Sequence, residues 1–254
     1  MNDTPNTGIE TLINRLKGLL HQLHQAMIQA RRSLDRDVEH RMNELATESS
    51  ARYVLQHMLT AKPVRAKPGD VDAHELLRFA LSLVSVEGFI AEFGVHTGGS
   101  INLIADRVPG PVYGFDSFEG LPEDWHLSFG RGQFDMGGRL PDVRSNVQLM
   151  KGWFSDTLPE FTKLVSKPAA FLHIDCDLYS STKTVLECLS DRIIPGTILV
   201  FDEYFNYPGW ERHEALAFSE FCQANGVSYR YVAFAPTGNS VAVVVEGRAN
   251  CPSR

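Results

Sequence analysis

The sequence predicts an α/β fold of the doubly wound, Rossmann-like kind, and three observations predict it. Apolar runs that end in acidic residues alternate with segments of helical periodicity. The run beginning at Phe89 passes into a glycine turn, AEFGVHTGGS, and then into the amphipathic segment INLIADRV, a strand–turn–helix sequence. Near the end, SYRYVAFA and SVAVVVE are joined by Pro-Thr-Gly-Asn, which reads as a hairpin. A seven-stranded, mostly parallel sheet ending in an antiparallel hairpin accounts for all three.

Composition narrows the function classes. A chain of 254 residues holds one large domain, or a domain of about 190 residues with an appendage. The formal net charge of −7 and the lack of a basic cluster exclude a nucleic-acid partner. No stretch reaches the roughly 18 apolar residues of a membrane span. The first residues lack a basic segment followed by an apolar one, so no signal peptide is expected. Four cysteines (Cys176, Cys188, Cys222, Cys251) without a Cys-x-x-Cys pair fit a reduced, cytoplasmic compartment.

Residues 9 to about 60 read as helix, with Leu12, Leu16, Leu19, Leu23, Ala26, Ala30 and Leu34 recurring at spacings of three and four. Such a stripe packs on a partner subunit, covers the site, or docks on its own domain. AKPVRAKPGD (61–70) has connector composition, so residues 1–68 are expected to be a helical extension and 69–254 the main domain. A helix follows from Asp72 to Val84, then the Phe89 strand. A second strand, Val112 to Phe115, ends at Asp116. Glu119 to Asn146 is long, glycine-rich and irregular yet carries Trp125, Phe129 and Phe134, which suits a lid ordering over a ligand. A third strand, Asn146 to Met150, leads into Lys151-Gly152-Trp153. The apolar strand Ala169–Ile174 ends at Asp175 and Asp177, and the strand in TILVFDEY ends at Asp202 and Glu203. A helix follows from His213 to Gln223.

The glycine turn has an acid, Glu92, two residues before its first glycine. Glycine lets backbone approach a ligand closely, and an acid at that place suits a cationic amine rather than a pyrophosphate. S-adenosylmethionine (SAM) meets that requirement, with Glu92 on the methionine amine; a tight turn of some other α/β protein is the alternative. Asp116, at the end of the second strand, is placed to accept ribose hydroxyls, or else it caps the following turn. The cofactor would be lined by Gly94, Thr97, Gly98, Gly99, Ser100, Ser117 and Asp175, with Gly152 and Trp153 near the adenine. Two acid groups ending neighbouring strands repel each other unless neutralised. A hard cation such as Mg²⁺ does this; pairing with Lys151, Lys183 or Arg212 is the plainer alternative.

The stretches AEFGVHTGGS, GFDSFEGLPE, KGWFSDTLP, HIDCDLYSSTKTVLECL and PGTILVFDEY together resemble the macrocin O-methyltransferase (TylF-type) family, over about residues 72 to 246. The resemblance implies a class I SAM-dependent methyltransferase fold, methylation of sugar hydroxyls on natural products, Mg²⁺ dependence and a homo-oligomer built partly from N-terminal helices. It further implies that Asp175, Asp202 and Glu203 are metal ligands and that Asp177 is the general base. Glu203 stands where the family's antibiotic enzymes have Asp. Three other readings compete: a metal-independent methyltransferase acting on a phenol or carboxylate, an NAD(P)-dependent oxidoreductase using Tyr179 and Lys183, and a non-catalytic scaffold.

Overall fold

The structure, a computed structural model, describes residues 7–126 and 129–249, with side chains from residue 14 onward. Cys251, the side chain of Leu12, and Leu127 and Ser128 of the glycine-rich segment lie outside the described residues. The chain divides into two compact units, residues 1–45 and 46–254.

The first unit contains the N-terminal part of helix α1 (Thr7–His57). Leu16, Leu19, Leu23 and Leu34 of the expected stripe, with Val38, Met42 and Leu45 beyond it, are exposed, and so are Leu20 and Met27 outside it.

The second unit begins inside α1, because the last turns of that helix are built into its core. Met58, just after the helix, is buried. The Tyr53 hydroxyl lies 2.6 Å from that of Tyr231. Trp210 Nε1 donates to Ser49 Oγ at 2.9 Å, and the Asn206 amide donates to Ser50 Oγ at 2.8 Å. The packing boundary thus falls earlier than the division at residues 68/69 read from the connector. The connector itself contributes a two-residue strand, β1 (Lys62–Pro63).

The remaining elements follow in order: α2 (Asp72–Leu81), β2 (Phe89–Phe93), α3 (Gly99–Ala105), β3 (Val112–Asp116), β4 (Val147–Lys151), α4 (Phe154–Leu164), β5 (Ala169–Ile174), α5 (Tyr179–Cys188), β6 (Ile198–Phe201), α6 (Glu214–Asn225), β7 (Val227–Phe234) and β8 (Val241–Arg248). They form one sheet in the order β1-β7-β8-β6-β5-β2-β3-β4. β8 runs antiparallel to both its neighbours, β6 and β7, and the other pairings are parallel. Seven strands match the expected layout; β1 adds an eighth at the edge, on β7.

Strand composition explains the layering. β5 is buried along its whole length, as a central parallel strand covered on both faces must be. On β2, Phe89, Ala91 and Phe93 enter one core with Leu158, Phe161, Leu186 and Phe218 of α4, α5 and α6. Ile90 faces the other core, with Leu76, Leu77, Ile101 and Ile104 of α2 and α3. Each fully buried Leu or Phe contributes about 1.5–3 kcal/mol. The chain runs outward from β2 to β3 and β4, then returns to β5 on the other side of β2. That reversal opens a crevice at the carboxyl ends of the strands, where open α/β sheets bind ligands. Among the described residues no helix is long and apolar enough to cross a membrane.

Candidate active site

A cavity of about 590 Å³ opens over this crevice, within the usual size range of small-molecule sites. Of the residues expected to bind cofactor or metal, Gly94, Asp116, Ser117, Gly152, Trp153, Asp175 and Glu203 line it, and so does Asp177, the expected base.

Gly94 is demanded by geometry. A Cβ there would lie 1.7 Å from the Asp175 carbonyl oxygen, and its φ is +94°, so only glycine lets β2 pass the end of β5 this closely. Asp116 holds the turn after Gly94: its Oδ2 accepts the Val95 and His96 amides, each at 2.8 Å, and its Oδ1 accepts the Phe118 amide at 2.7 Å. The capping role and the cavity-facing role expected of Asp116 therefore coexist.

Glu92 does not reach the cavity. It is fully buried, with Oε2 3.0 Å from His173 Nδ1 and Oε1 accepting from Ser100 Oγ at 3.1 Å. The reason is strand parity and register. Glu92 shares the inward face of β2 with Ile90 and stands directly beside His173 of β5. Burial works against a charged His173, yet the carboxylates of Asp202 and Glu92 raise its pKa well above the usual imidazole range. Thr97, Gly98, Gly99 and Ser100 also fall outside the cavity wall; Gly98 instead caps α3 with φ +85°.

The strand-end acids divide differently from expectation. One oxygen from each of Asp175, Asp177 and Glu203 lies within 4.8 Å of the others. Asp202 is not in that group. Its Oδ1 accepts from Ser240 Oγ at 2.9 Å and lies 3.9 Å from His173 Nε2, so it turns towards the buried imidazole and β8. Asp177, read as a base, sits in the cluster instead. It occupies the apex of a three-residue turn closed by the Leu178 amide on the Cys176 carbonyl at 2.6 Å, with φ +63°. For a residue with a side chain this is a strained backbone of the kind found at functional sites.

Electrostatics follow from this crowding. Burial, then repulsion by Asp202, pushes the Asp177 carboxyl up to about 7. The same two causes raise Asp175 and Glu203 well above the usual carboxylate range. Glu203 Oε2 is buried with no hydrogen-bond partner among the described residues. Behind it stands Glu214, which sequence reasoning missed. It is fully buried at the start of α6 and accepts the Glu203 amide at 3.1 Å. Only the acidic first turn of a helix pointed to Glu214, and that signal is common on exposed helices.

The glycine-rich segment folds over the cavity. Backbone hydrogen bonds join Leu121 to Gln133 and Phe118 to Gly138, and Lys151 Nζ donates to the Gly138 carbonyl at 2.5 Å. Trp125, His126, Phe129 and Phe134 from this segment, with Tyr207 from the loop after β6, supply the apolar wall. Tyr207 belongs to FNYPGW, whose aromatics the sequence places beside the site, to stack on a sugar ring or an aromatic acceptor or else to pack in the core; no motif marks His126.

Residues 131–231 match the family model described as macrocin-O-methyltransferase (TylF), which bears out the motif resemblance. The chain is 34% identical over 146 residues to the 8-demethyl-8-(2,3-dimethoxy-alpha-L-rhamnosyl)-tetracenomycin-C 4'-O-methyltransferase of Streptomyces olivaceus, covering 47% of this chain and 54% of that one. It is 29% identical over 151 residues to the demethyldecarbamoylnovobiocin O-methyltransferase of Streptomyces niveus, covering 49% and 55%. The matched region thus spans about half the length of these relatives. Among solved structures, the O-methyltransferase NovP superposes with a TM-score of 0.52 at 23% identity, covering 69% of this chain and 79% of that one. CalS11, a calicheamicin methyltransferase, superposes with a TM-score of 0.51 at 22% identity, covering 68% and 77%. The fold is that of the class I SAM-dependent methyltransferases.

Proposed function

We propose that this chain, with the TylF signature across residues 131–231, is a SAM-dependent O-methyltransferase that methylates a hydroxyl of a sugar or glycosylated natural product. The observation that carries the reading is the acid cluster of Asp175, Asp177 and Glu203 in a cavity that Gly94 and Asp116 also line. Cofactor and acceptor would meet between the two.

Asp116 would accept the ribose hydroxyls, and Trp153, partly exposed at the cavity wall, would cover the adenine. SAM, when bound, supplies an electrophilic methyl on a cationic sulfur. Holding that methyl in line with an acceptor oxygen supplies much of the acceleration. Asp177 would take the acceptor's proton as the oxygen–carbon bond forms. A carboxyl pushed up to about 7 suits this task near neutral pH.

The oxygen donors of Asp175, Asp177 and Glu203 fit a hard divalent cation such as Mg²⁺. They are crowded carboxylates, and one oxygen of Glu203 lacks a partner among the described residues. Such an ion would lower the pKa of a coordinated acceptor hydroxyl and fix its orientation. Leu16, Leu20, Leu23, Met27 and Leu34, exposed on α1 at spacings of four, three, four and seven, suit a second copy of the chain and hence a homo-oligomer.

The test is transfer of a labelled methyl from SAM to a panel of rhamnosides, with and without EDTA and with Asp177→Asn. A fall of at least about a hundredfold in the variant supports the base. Undiminished transfer in that variant would remove it, and undiminished transfer in EDTA would remove the metal.

A further inference from the structure

The acceptor half of the cavity holds polar atoms that nothing in the site yet uses. His126 Nδ1, next to Trp125, is buried and closes no hydrogen bond among the described residues. Both side chains line the cavity. The His126 ring stands 5.2 Å from the ring of Phe129 and 5.2 Å from that of Tyr207, and the Trp125 ring lies 5.5 Å from Tyr207. Burial holds the His126 imidazole below its ordinary range, which favours the neutral ring with its one donor and one acceptor nitrogen. A buried polar atom without a partner is costly, and a partner arriving with the ligand removes that cost.

We propose that Trp125, His126 and Tyr207 form the acceptor subsite for a pyranose ring, with the aromatic rings against its C–H face and His126 bonded to a hydroxyl away from the one methylated. The inference rests on the methyltransferase reading above and names the residues that select its acceptor. A flat phenol or catechol fills the aromatic wall but places its hydroxyls only at the acids, which leaves His126 unpaired. A pyranose carries hydroxyls around its ring and meets both Asp177 at one edge and His126 at another. A site built to bond a hydroxyl discriminates strongly against an analogue lacking it. His126 is thus a specificity-determining residue, and its polar atoms do not serve the fold.

The experiment is a saturation-transfer NMR titration of methyl α-L-rhamnopyranoside and of catechol onto the full chain loaded with S-adenosylhomocysteine (SAH). The wild-type chain should bind the rhamnoside. His126→Phe should weaken that binding by about tenfold or more, with SAH affinity unchanged and thermal stability unchanged or raised, because no intramolecular hydrogen bond is lost. His126→Asn should recover part of the affinity. No rhamnoside binding by the SAH-loaded wild type, or equal affinity in His126→Phe, overturns the subsite and leaves the methyltransferase reading standing. Failure of SAH to bind the wild type removes the methyltransferase reading itself and this one with it. A fall in thermal stability of His126→Phe in parallel with its affinity overturns the subsite in favour of a structural role.

Discussion

His173 Nδ1 and Glu92 Oε2 lie 3.0 Å apart between neighbouring strands, and neither side chain is open to solvent. The pair ties β2 to β5 directly beneath the crevice, and Asp202 faces the other imidazole nitrogen at 3.9 Å. Removing one member of a buried, charged pair costs about 3–5 kcal/mol. His173→Leu or Glu92→Gln should therefore lower the melting temperature by about 6–20 °C, taking roughly 2–4 °C per kcal/mol for a unit of this size. Calorimetric unfolding checks it. A Glu92→Gln chain that melts normally yet loses SAH binding would return Glu92 to the cofactor.

Gly94 admits no side chain. A Cβ would overlap the Asp175 carbonyl at 1.7 Å, and the backbone sits at φ +94°. Gly94→Ala must push β2 and β5 apart at the cavity floor. We expect loss of SAH binding and a cost of at least about 3 kcal/mol, given strain of about 1–3 kcal/mol before the clash is counted. Gly99→Ala, where nothing lies within 4 Å, should be nearly silent and serves as the control.

Stability of the metal-free chain should fall as pH rises. Asp177 has its folded pKa raised to about 7 from an ordinary value of 3.8. A group raised on folding contributes stability that is fully present below the ordinary value and lost as pH rises through the folded one. Asp175 and Glu203, also raised, act in the same direction. The melting temperature should therefore decline from pH 5 to pH 8, an interval chosen to span about 7. Mg²⁺ at about a hundred times its Kd should restore about 2.7 kcal/mol at the upper end. A metal-free chain that grows more stable over this interval would contradict the assignment.

The methyl-transfer rate should show the opposite slope. If Asp177 accepts the proton, kcat/KM rises with pH through about 7 and then levels. Saturating Mg²⁺ should move that limb to lower pH, since a bound cation favours the carboxylate. A pH-rate profile with and without the ion reads both.

Much of this was legible in the sequence. Apolar runs marked the strands and period-3.6 patterning the helices, and the acids closing β5 and β6 marked the crevice. The side chains' directions were not legible. Glu92 lies on the face of β2 that Ile90 packs against α2 and α3, and its partner His173 is set by register across β2 and β5. Asp177 joins the acid cluster and Asp202 leaves it, because Ser240, just before β8 and distant in sequence, takes the Asp202 carboxylate. The turn at Asp177 aims the other at Glu203. Glu214 and the hydroxyl cluster of Tyr53, Tyr204 and Tyr231 arise from contacts between remote segments that no local pattern encodes.

Calorimetric titration of SAH into the wild-type chain and into Asp116→Ala decides whether the cavity beside Asp116 binds SAM. One site per chain is expected in the wild type, with an affinity at least about tenfold weaker in the variant, the loss of hydrogen bonds to a charged group. Circular dichroism would establish that the variant keeps its fold. No binding by the wild type, or equal binding by a folded Asp116→Ala, would contradict it.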